Sequence, residues 1–287
     1  MDINFLPKKF LGCQDNFEEA DVVIFGAPFD GTTTFRPGTR FAPQTMRVES
    51  IGLETYSPYF DIDIEDYKIN DNGDLDLPFG ATKTALDMIK KQAKNIFDAN
   101  KKTLMIGGEH LVSLPVIEEA FNKYKDLHII HFDAHTDLRE EYLGEKLSHS
   151  SVFKRVWDFI GDNKIYQFGI RSGTKEEFYW AKDGHVYINK FNFDTLKEVV
   201  TKLKDKTVYF SIDLDVLDPS IMSGTGTTEA GGVSFKELID AIKEVSNLNI
   251  IGADIVELSP HYDNSGVSTA VACKVLREVL CAMLKNN

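Results

Sequence analysis

The sequence predicts an α/β fold: a mostly parallel sheet of about eight strands, covered by helices on both faces. Three observations carry that expectation. Short apolar runs alternate with segments of helical period along most of the chain. The runs are too apolar to be half exposed, so both faces of the sheet must be covered. Several runs then end in carboxylates and histidines, and the carboxyl edge of a parallel sheet is where α/β enzymes keep their chemistry. A chain of 287 residues with 43% hydrophobic content can bury roughly three quarters of its unfolded surface. No linker, repeat or low-complexity segment divides it. One domain over 1–287 is expected, with 1–20 as an N-terminal arm.

The first strong strand is Asp21-Val-Val-Ile-Phe-Gly-Ala-Pro28. It runs into a loop rich in glycine and proline, residues 29–43, whose Arg36-Pro-Gly38 turn marks it as ordered. A helix is expected from Pro43 to Ile51, and strand pieces at Tyr59–Ile62 and Ile64–Lys68. The cluster Asn70-Asp-Asn-Gly-Asp74 reads as a turn, because it lacks the spacing and the final glutamate of a calcium loop. Ala85, Ile89, Ala93, Ile96 and Phe97 keep helical spacing within 81–100. Strand 103–106, helix 113–124 and strand 127–132 follow.

After a charged loop over 138–149 come helix 150–160 and the strand Ile165–Ile170. A short strand, His185–Ile188, precedes helix 194–203 and strand 208–212. Ser234 and Glu237 have the spacing of a capping box, opening helix 234–246. Strand 250–256 and helix 266–284 close the chain. Cys273 and Cys281 are eight apart on that last helix and are expected on its buried face.

Composition excludes some partners. A net charge of −13 argues against nucleic acid, whose phosphates need clustered Lys and Arg, and favours a small cationic substrate. Three cysteines without a CxxC make no disulfide framework. The N-terminus has no apolar signal region and no run approaches eighteen apolar residues, so no membrane partner and a cytoplasmic location are expected.

The chemistry collects at strand ends. Asp133, His135 and Asp137 follow the strand Leu127–Phe132, and side chains two apart on a strand share a face. Asp213 and Asp215 end a second strand, and buried carboxylates repel unless a cation or protons neutralise them. Gly107-Gly-Glu-His110 ends a third. Together these groups are enough to hold two divalent ions about 3.5–4 Å apart. His128, His185 and His261 lack neighbouring ligand spacing, and His131 reads as a packed group behind the ligands. The glycines of residues 223–232 match neither the dinucleotide nor the phosphate-loop pattern.

Gly107-Gly-Glu-His110, Asp133-Ala-His-Thr-Asp137, Ser211-Ile-Asp-Leu-Asp-Val-Leu-Asp-Pro219 and Asp254-Ile-Val-Glu-Leu-Ser-Pro260 resemble, in order and spacing, the signatures of the ureohydrolase (arginase/agmatinase) family. Gly26-Ala-Pro-Phe-Asp-Gly31 and the segment 224–232 are closer to its agmatinase branch. The resemblance covers residue 21 to the C-terminus. It implies a three-layer α/β/α fold and two manganese ions per chain. One ion would be held by His110, Asp133, Asp137 and Asp213, the other by Asp133, His135, Asp213 and Asp215. It further implies a trimer or hexamer.

The implied reaction hydrolyses a guanidinium C–N bond to urea and an amine. Such hydrolysis needs hydroxide at neutral pH, and a bound metal lowers the pKa of water to roughly 7. By resemblance, Glu257 holds the guanidinium by paired hydrogen bonds, Asp137 passes a proton within the site, and His149 helps protonate the leaving amine. His149, Thr227 and Glu229 join Glu257 in binding substrate. One departure stands out: Ser150-Ser151 replaces the glycine that usually follows that histidine.

Agmatine is the expected substrate. The loop Leu138–Ser148 carries Glu140, Glu141 and Glu145, which would repel the α-carboxylate of arginine, and it lacks the asparagine that arginases place there. Guanidinobutyrase, formiminoglutamase and arginase share the motifs, and Arg139 or Lys146 would serve a carboxylate tail instead. From another class, the alternative is a catalytically silent metal-binding relative acting through its partners, which retention of all six ligands and Glu257 disfavours.

Overall fold

The apolar strands pair in parallel because the helices between them return the chain to the same edge of the sheet. The computed structural model describes residues 9–13 and 16–285; the expected arm over 1–20 lies partly outside them. The strands are β1 (Val22–Ala27), β2 (Tyr56–Ser57), β3 (Ile62–Asp63), β4 (Ile69–Asp74), β5 (Lys102–Gly107), β6 (Leu127–Phe132), β7 (Ile165–Ile170), β8 (Tyr187–Lys190), β9 (Thr207–Asp213) and β10 (Asn249–Val256). The helices are α1 (Ala42–Glu49), α2 (Thr82–Asp98), α3 (Ser113–Lys123), α4 (Val152–Ile160), α5 (Lys175–Trp180), α6 (Leu196–Lys202), α7 (Phe235–Val245) and α8 (Val267–Leu284). Eight strands form one sheet in the order β4-β1-β5-β10-β9-β6-β7-β8, parallel throughout.

Alternation along each strand sorts the core into two layers. Val22 and Ile24 of β1 join Phe210 and Ile212 of β9 against α1, α6, α7 and α8. Val23 and Phe25, with Ile129 and Tyr209, face α2, α3 and α4. Both faces are thus covered, giving the three-layer α/β/α sandwich. Cys273 and Cys281 are buried in the first layer. Among the described residues, no helix is long and apolar enough to cross a membrane.

Three expectations need correction. Asn70–Asp74 is not a turn but most of edge strand β4, paired with β1. An edge strand tolerates polar residues, and Asp71 is buried because it accepts Arg47 Nε and Nη2, each at 2.8 Å, and the Phe10 N–H at 2.8 Å. The two strand pieces over 59–68 are instead a two-residue ladder, Tyr56–Ser57 against Ile62–Asp63, followed by a 3-10 turn, Ile64–Asp66. The Asp63 side chain accepts the Glu65 N–H and starts that turn. Helix α5 fills a stretch with no assigned element, and its Thr174/Glu177 capping box was the signal for it. His185 closes the turn after α5, so β8 begins at Tyr187.

Arg47 also pairs with Asp74, and its buried fork ties α1 to the sheet edge. Removing one partner of a buried pair strands the other charge. Arg47→Met is expected to cost about 3–5 kcal/mol in urea denaturation; a loss below about 1 kcal/mol, the range of an exposed pair, would show that the network is not structural.

Candidate active site and metal centre

Four neighbouring strands, β5, β10, β9 and β6, bring together segments that lie far apart in sequence. Their ladder is level: Ile255 pairs with Ile106, Val256 with Asp213, and Phe132 with Ile212. Their carboxyl ends therefore place His110, Glu257, Asp213 and Asp133 side by side. His110 Nδ1 lies 3.2 Å from Asp133 Oδ2, 3.3 Å from Asp137 Oδ2 and 3.3 Å from Asp213 Oδ2. His135 Nδ1 lies 2.9 Å from Asp215 Oδ2 and 3.6 Å from Asp133 Oδ1. All six side chains singled out as ligands meet here.

Strand alternation is not what aims them. β6 ends at Phe132, and Asp215 sits in a 3-10 turn after β9. Instead three of the four aspartates are steadied by a backbone N–H in a turn at a strand end. Asp133 Oδ1 accepts from His135 N, Asp213 Oδ1 from Asp215 N at 2.8 Å, and Asp215 Oδ1 from Ala134 N at 3.0 Å. One oxygen of each is fixed, and Oδ2 is left to face the histidines. Asp137 (φ 52°) and Glu257 (φ 65°) occupy the left-handed region, a backbone strain of order 1–3 kcal/mol each.

A polar row beneath the ligands sets proton positions. Gln167, His131, Ser211 and Asp254 pair across β7, β6, β9 and β10, and none is exposed. The Ser211 hydroxyl donates to Asp254 Oδ1 at 2.6 Å, so its oxygen accepts from His110 Nε2 at 3.0 Å. Neutral His110 would therefore have its lone pair on Nδ1, which faces three carboxylate oxygens. Burial disfavours a second proton there, but Asp133, Asp137 and Asp213 outweigh it and raise the ring well above the imidazole range. The amide of Gln167 donates to the Thr136 carbonyl at 2.7 Å and to His131 Nδ1 at 3.0 Å. His131 Nε2 then carries the proton and donates to Asp133 Oδ2 at 2.8 Å. Burial lowers His131 to about 4, against the pull of Asp133. His131 is thus a neutral donor behind the ligands.

A lone pair aimed at three anionic oxygens is repulsive unless a cation lies between them. The ion-pair partners of Asp133, Asp137, Asp213 and Asp215 are histidines. One imidazole with hard carboxylate oxygens suits a divalent ion, and Asp133, His135 and Asp215 offer ligand atoms within 4.8 Å of one another. The residues fit a metal. Without one, protons must do the same work. Burial first, then the charge of Asp133, raises Asp137 to about 7. Burial, then Asp215, raises Asp213 well above the carboxylate range. Desolvation lowers His135, but Asp215 and Asp133 outweigh it and raise it to about 12.

The ligands open into a cavity of about 350 Å³, whose wall includes Arg139, Tyr142, His149, Thr227 and Glu257. Glu257 Oε1 accepts the His110 N–H at 2.8 Å. Glu229 does not line this cavity; the Arg171 guanidinium holds its carbonyl, at 2.8 Å from Nη2. The repulsion expected from Glu140, Glu141 and Glu145 is likewise not built, since none of the three lines the cavity. Glu140 turns outward to Arg155 at 3.0 Å and Lys154 at 3.3 Å, because α4 offers two cations on that side. Ser151, of the Ser150-Ser151 pair that stands where the resemblance expects glycine, accepts the Ser148 N–H at 3.1 Å and donates to the Lys146 carbonyl at 2.7 Å, opening the turn that carries His149. Glu177 was missed: it accepts from Thr136 Oγ1 at 2.7 Å and Leu138 N at 2.9 Å, clamping the strand end to α5.

The sequence profile of the arginase family matches residues 20–282. The chain belongs to that family. It is 50% identical to an agmatinase of Bacillus anthracis, with 99% of each chain covered. It is 48% identical to the agmatinase of Bacillus subtilis, again over 99% of each. A crystal structure from Clostridium difficile superposes with a TM-score of 0.92 at 53% identity, covering 93% of this chain and 98% of that one. The protein is an enzyme, a ureohydrolase.

The pH response of the metal-free ureohydrolase follows from these shifts. Asp137 and Glu109, each raised to about 7 chiefly by burial, bind protons in the folded state that the unfolded chain has already lost. Stability therefore falls as pH rises from about 4 to about 7. Chelated protein is expected to melt lower at about pH 8 than at about pH 5.5, and added divalent ion should narrow the gap. A pH-independent melting temperature, or one indifferent to metal, would contradict this picture of the charge.

Proposed function

We propose that this ureohydrolase cleaves the guanidinium C–N bond of agmatine to urea and putrescine, with two manganese ions held by His110, Asp133, His135, Asp137, Asp213 and Asp215. The observation that carries the reading is the meeting of these six side chains with Glu257 at one cavity. When bound, the ions make hydroxide available near neutrality by lowering the pKa of water to roughly 7.

The rest falls to the chain's own residues. A guanidinium is delocalised and stays protonated, so it must be pinned before attack. Glu257 has one lone pair engaged by the His110 N–H, and its others take two guanidinium N–H groups. Asp137, whose Oδ2 lies 3.3 Å from His110 Nδ1, passes a proton within the site. His149 Nδ1 pairs with the Thr32 carbonyl at 3.0 Å. A carbonyl only accepts, so Nδ1 is the donor and Nε2 is free to carry a proton to the leaving amine. Thr227 lines the same cavity and is assigned to substrate binding.

Agmatine is a dication, and a carboxylate-rich wall attracts it. A second reading, a guanidine with a carboxylate tail, is favoured by Arg139, which lines the cavity with its guanidinium 4.9 Å from the Tyr142 ring centre.

Urea release under Mn²⁺ from agmatine, arginine and guanidinobutyrate separates the readings. Agmatine is expected to lead in kcat/KM by about 100-fold, since a carboxylate without its full set of partners is strongly rejected. Faster turnover of guanidinobutyrate, abolished in Arg139→Gln, would replace agmatine with the acid. Metal analysis should find two ions per chain in the active enzyme, and full turnover with one would sink the binuclear reading. Glu257→Gln keeps the bond from His110 but loses the charge. It is expected to lower kcat/KM about 10- to 100-fold with metal content and melting temperature held. Near-normal turnover would remove Glu257 from the reaction.

A further inference from the structure

Glu109 stands between Gly108 and His110, is fully buried, and lies outside the cavity lining. Its carboxylate reaches away from the ligands. It accepts the Thr32 N–H at 2.9 Å, the Thr32 hydroxyl, and the Thr33 hydroxyl at 2.9 Å. Its own N–H donates to the Phe29 carbonyl at 2.8 Å. A Cβ on Gly108 would sit 1.9 Å from that same carbonyl oxygen, so only glycine lets the loop after β1 dock on the end of β5. Thr32, thus clamped, holds His149 twice. Its hydroxyl oxygen accepts the His149 N–H at 3.0 Å, and its carbonyl accepts from Nδ1 at 3.0 Å.

We infer that Glu109 and Thr32 are positioning residues that set the place and tautomer of His149. Glu109 does so from the end of β5 that also carries His110, and Thr32 from the loop after β1. The inference rests on the role proposed above for His149. Buried carboxylates are costly without partners, and all the side-chain partners of this one lie on the loop that grips His149. A reacting group displaced by about 1 Å loses of order 100-fold in rate. A clamp on the proton donor therefore bears on kcat rather than on substrate affinity.

A double-mutant cycle on urea release tests it, with bound metal measured in every variant. Thr32→Val keeps the shape and removes the hydroxyl. It is expected to lower kcat about 10-fold or more with KM changed less than about twofold, and Thr32→Ser should restore the rate. In a His149→Ala background, neither Thr32→Val nor Glu109→Gln should cost more than about twofold further. Equal losses in both backgrounds, an unchanged kcat in Thr32→Val, or loss of metal from Thr32→Val would each overturn the inference. NMR of labelled histidine reads the ring without turnover: His149 should be the Nδ1–H tautomer in the wild type, and its ring signals should shift in Thr32→Val, which keeps the carbonyl but frees the loop that carries it. An unmoved signal overturns the inference. A wild type that releases no urea from any guanidine overturns the functional reading instead, and the NMR result still decides the positioning.

Discussion

Everything at the carboxyl edge of this sheet answers to one constraint: Asp133, Asp137, Asp213 and Asp215 are buried together, and their charge must be balanced there. Isolated carboxylates in such a place would simply protonate. The protein keeps them as ligands by fixing one oxygen of three of them on a backbone N–H and by aiming Nδ1 of His110 at three of them. The pull toward a cation is therefore built before any cation arrives. The left-handed backbone at Asp137 and Glu257 is a local cost that the surrounding packing holds in place.

That balance reaches past the ligands. The row of Gln167, His131, Ser211 and Asp254 crosses four strands one layer below them and orients the rings of His110 and His131. Tyr209 completes the row by donating to Asp254 Oδ2 at 2.8 Å. Burial makes such a row expensive if any bond is missing, and it also makes it specific. Above the ligands, the loop after β1 and the turn before α4 meet at Thr32. Arg171 bridges the carbonyls of Asp215 and Glu229, at 2.6 and 2.8 Å from Nη2, and so ties the second histidine's partner to the loop bearing Thr227. The cavity wall is thus assembled from loops, each anchored to a strand end.

The sequence by itself determined the fold class, most strands and helices, and the ligand set, for a physical reason. Buried strands write themselves as apolar runs, and ligand-type residues cannot be dispersed at the ends of such runs without a cost that only a metal or protons relieve. Asp133-Ala-His-Thr-Asp137 and Asp213-Leu-Asp215 were legible for that reason. Edge strand β4 was not, because its polar residues carry the composition of a turn, and only the distant Arg47 makes Asp71 a buried strand residue. Helix α5 was legible in principle, through the spacing of Thr174 and Glu177.

Only the tertiary structure decided which charges face the cavity. Glu140, Glu141 and Glu145 are close to the ligands in sequence, yet the wall there is Arg139 and Tyr142, and Glu140 turns to Lys154 and Arg155 of α4 on the outer side. Glu229 likewise gives its carbonyl, not its cavity-facing position, to the site. The roles of Ser211, Asp254 and Glu109 depend on strand order and register, and these bring β5, β10, β9 and β6 together from separations of up to about 150 residues. Local pattern encodes what each segment must bury. The partner that meets it is chosen by the fold, since a hydrogen bond or an ion pair depends on distance in space and not along the chain.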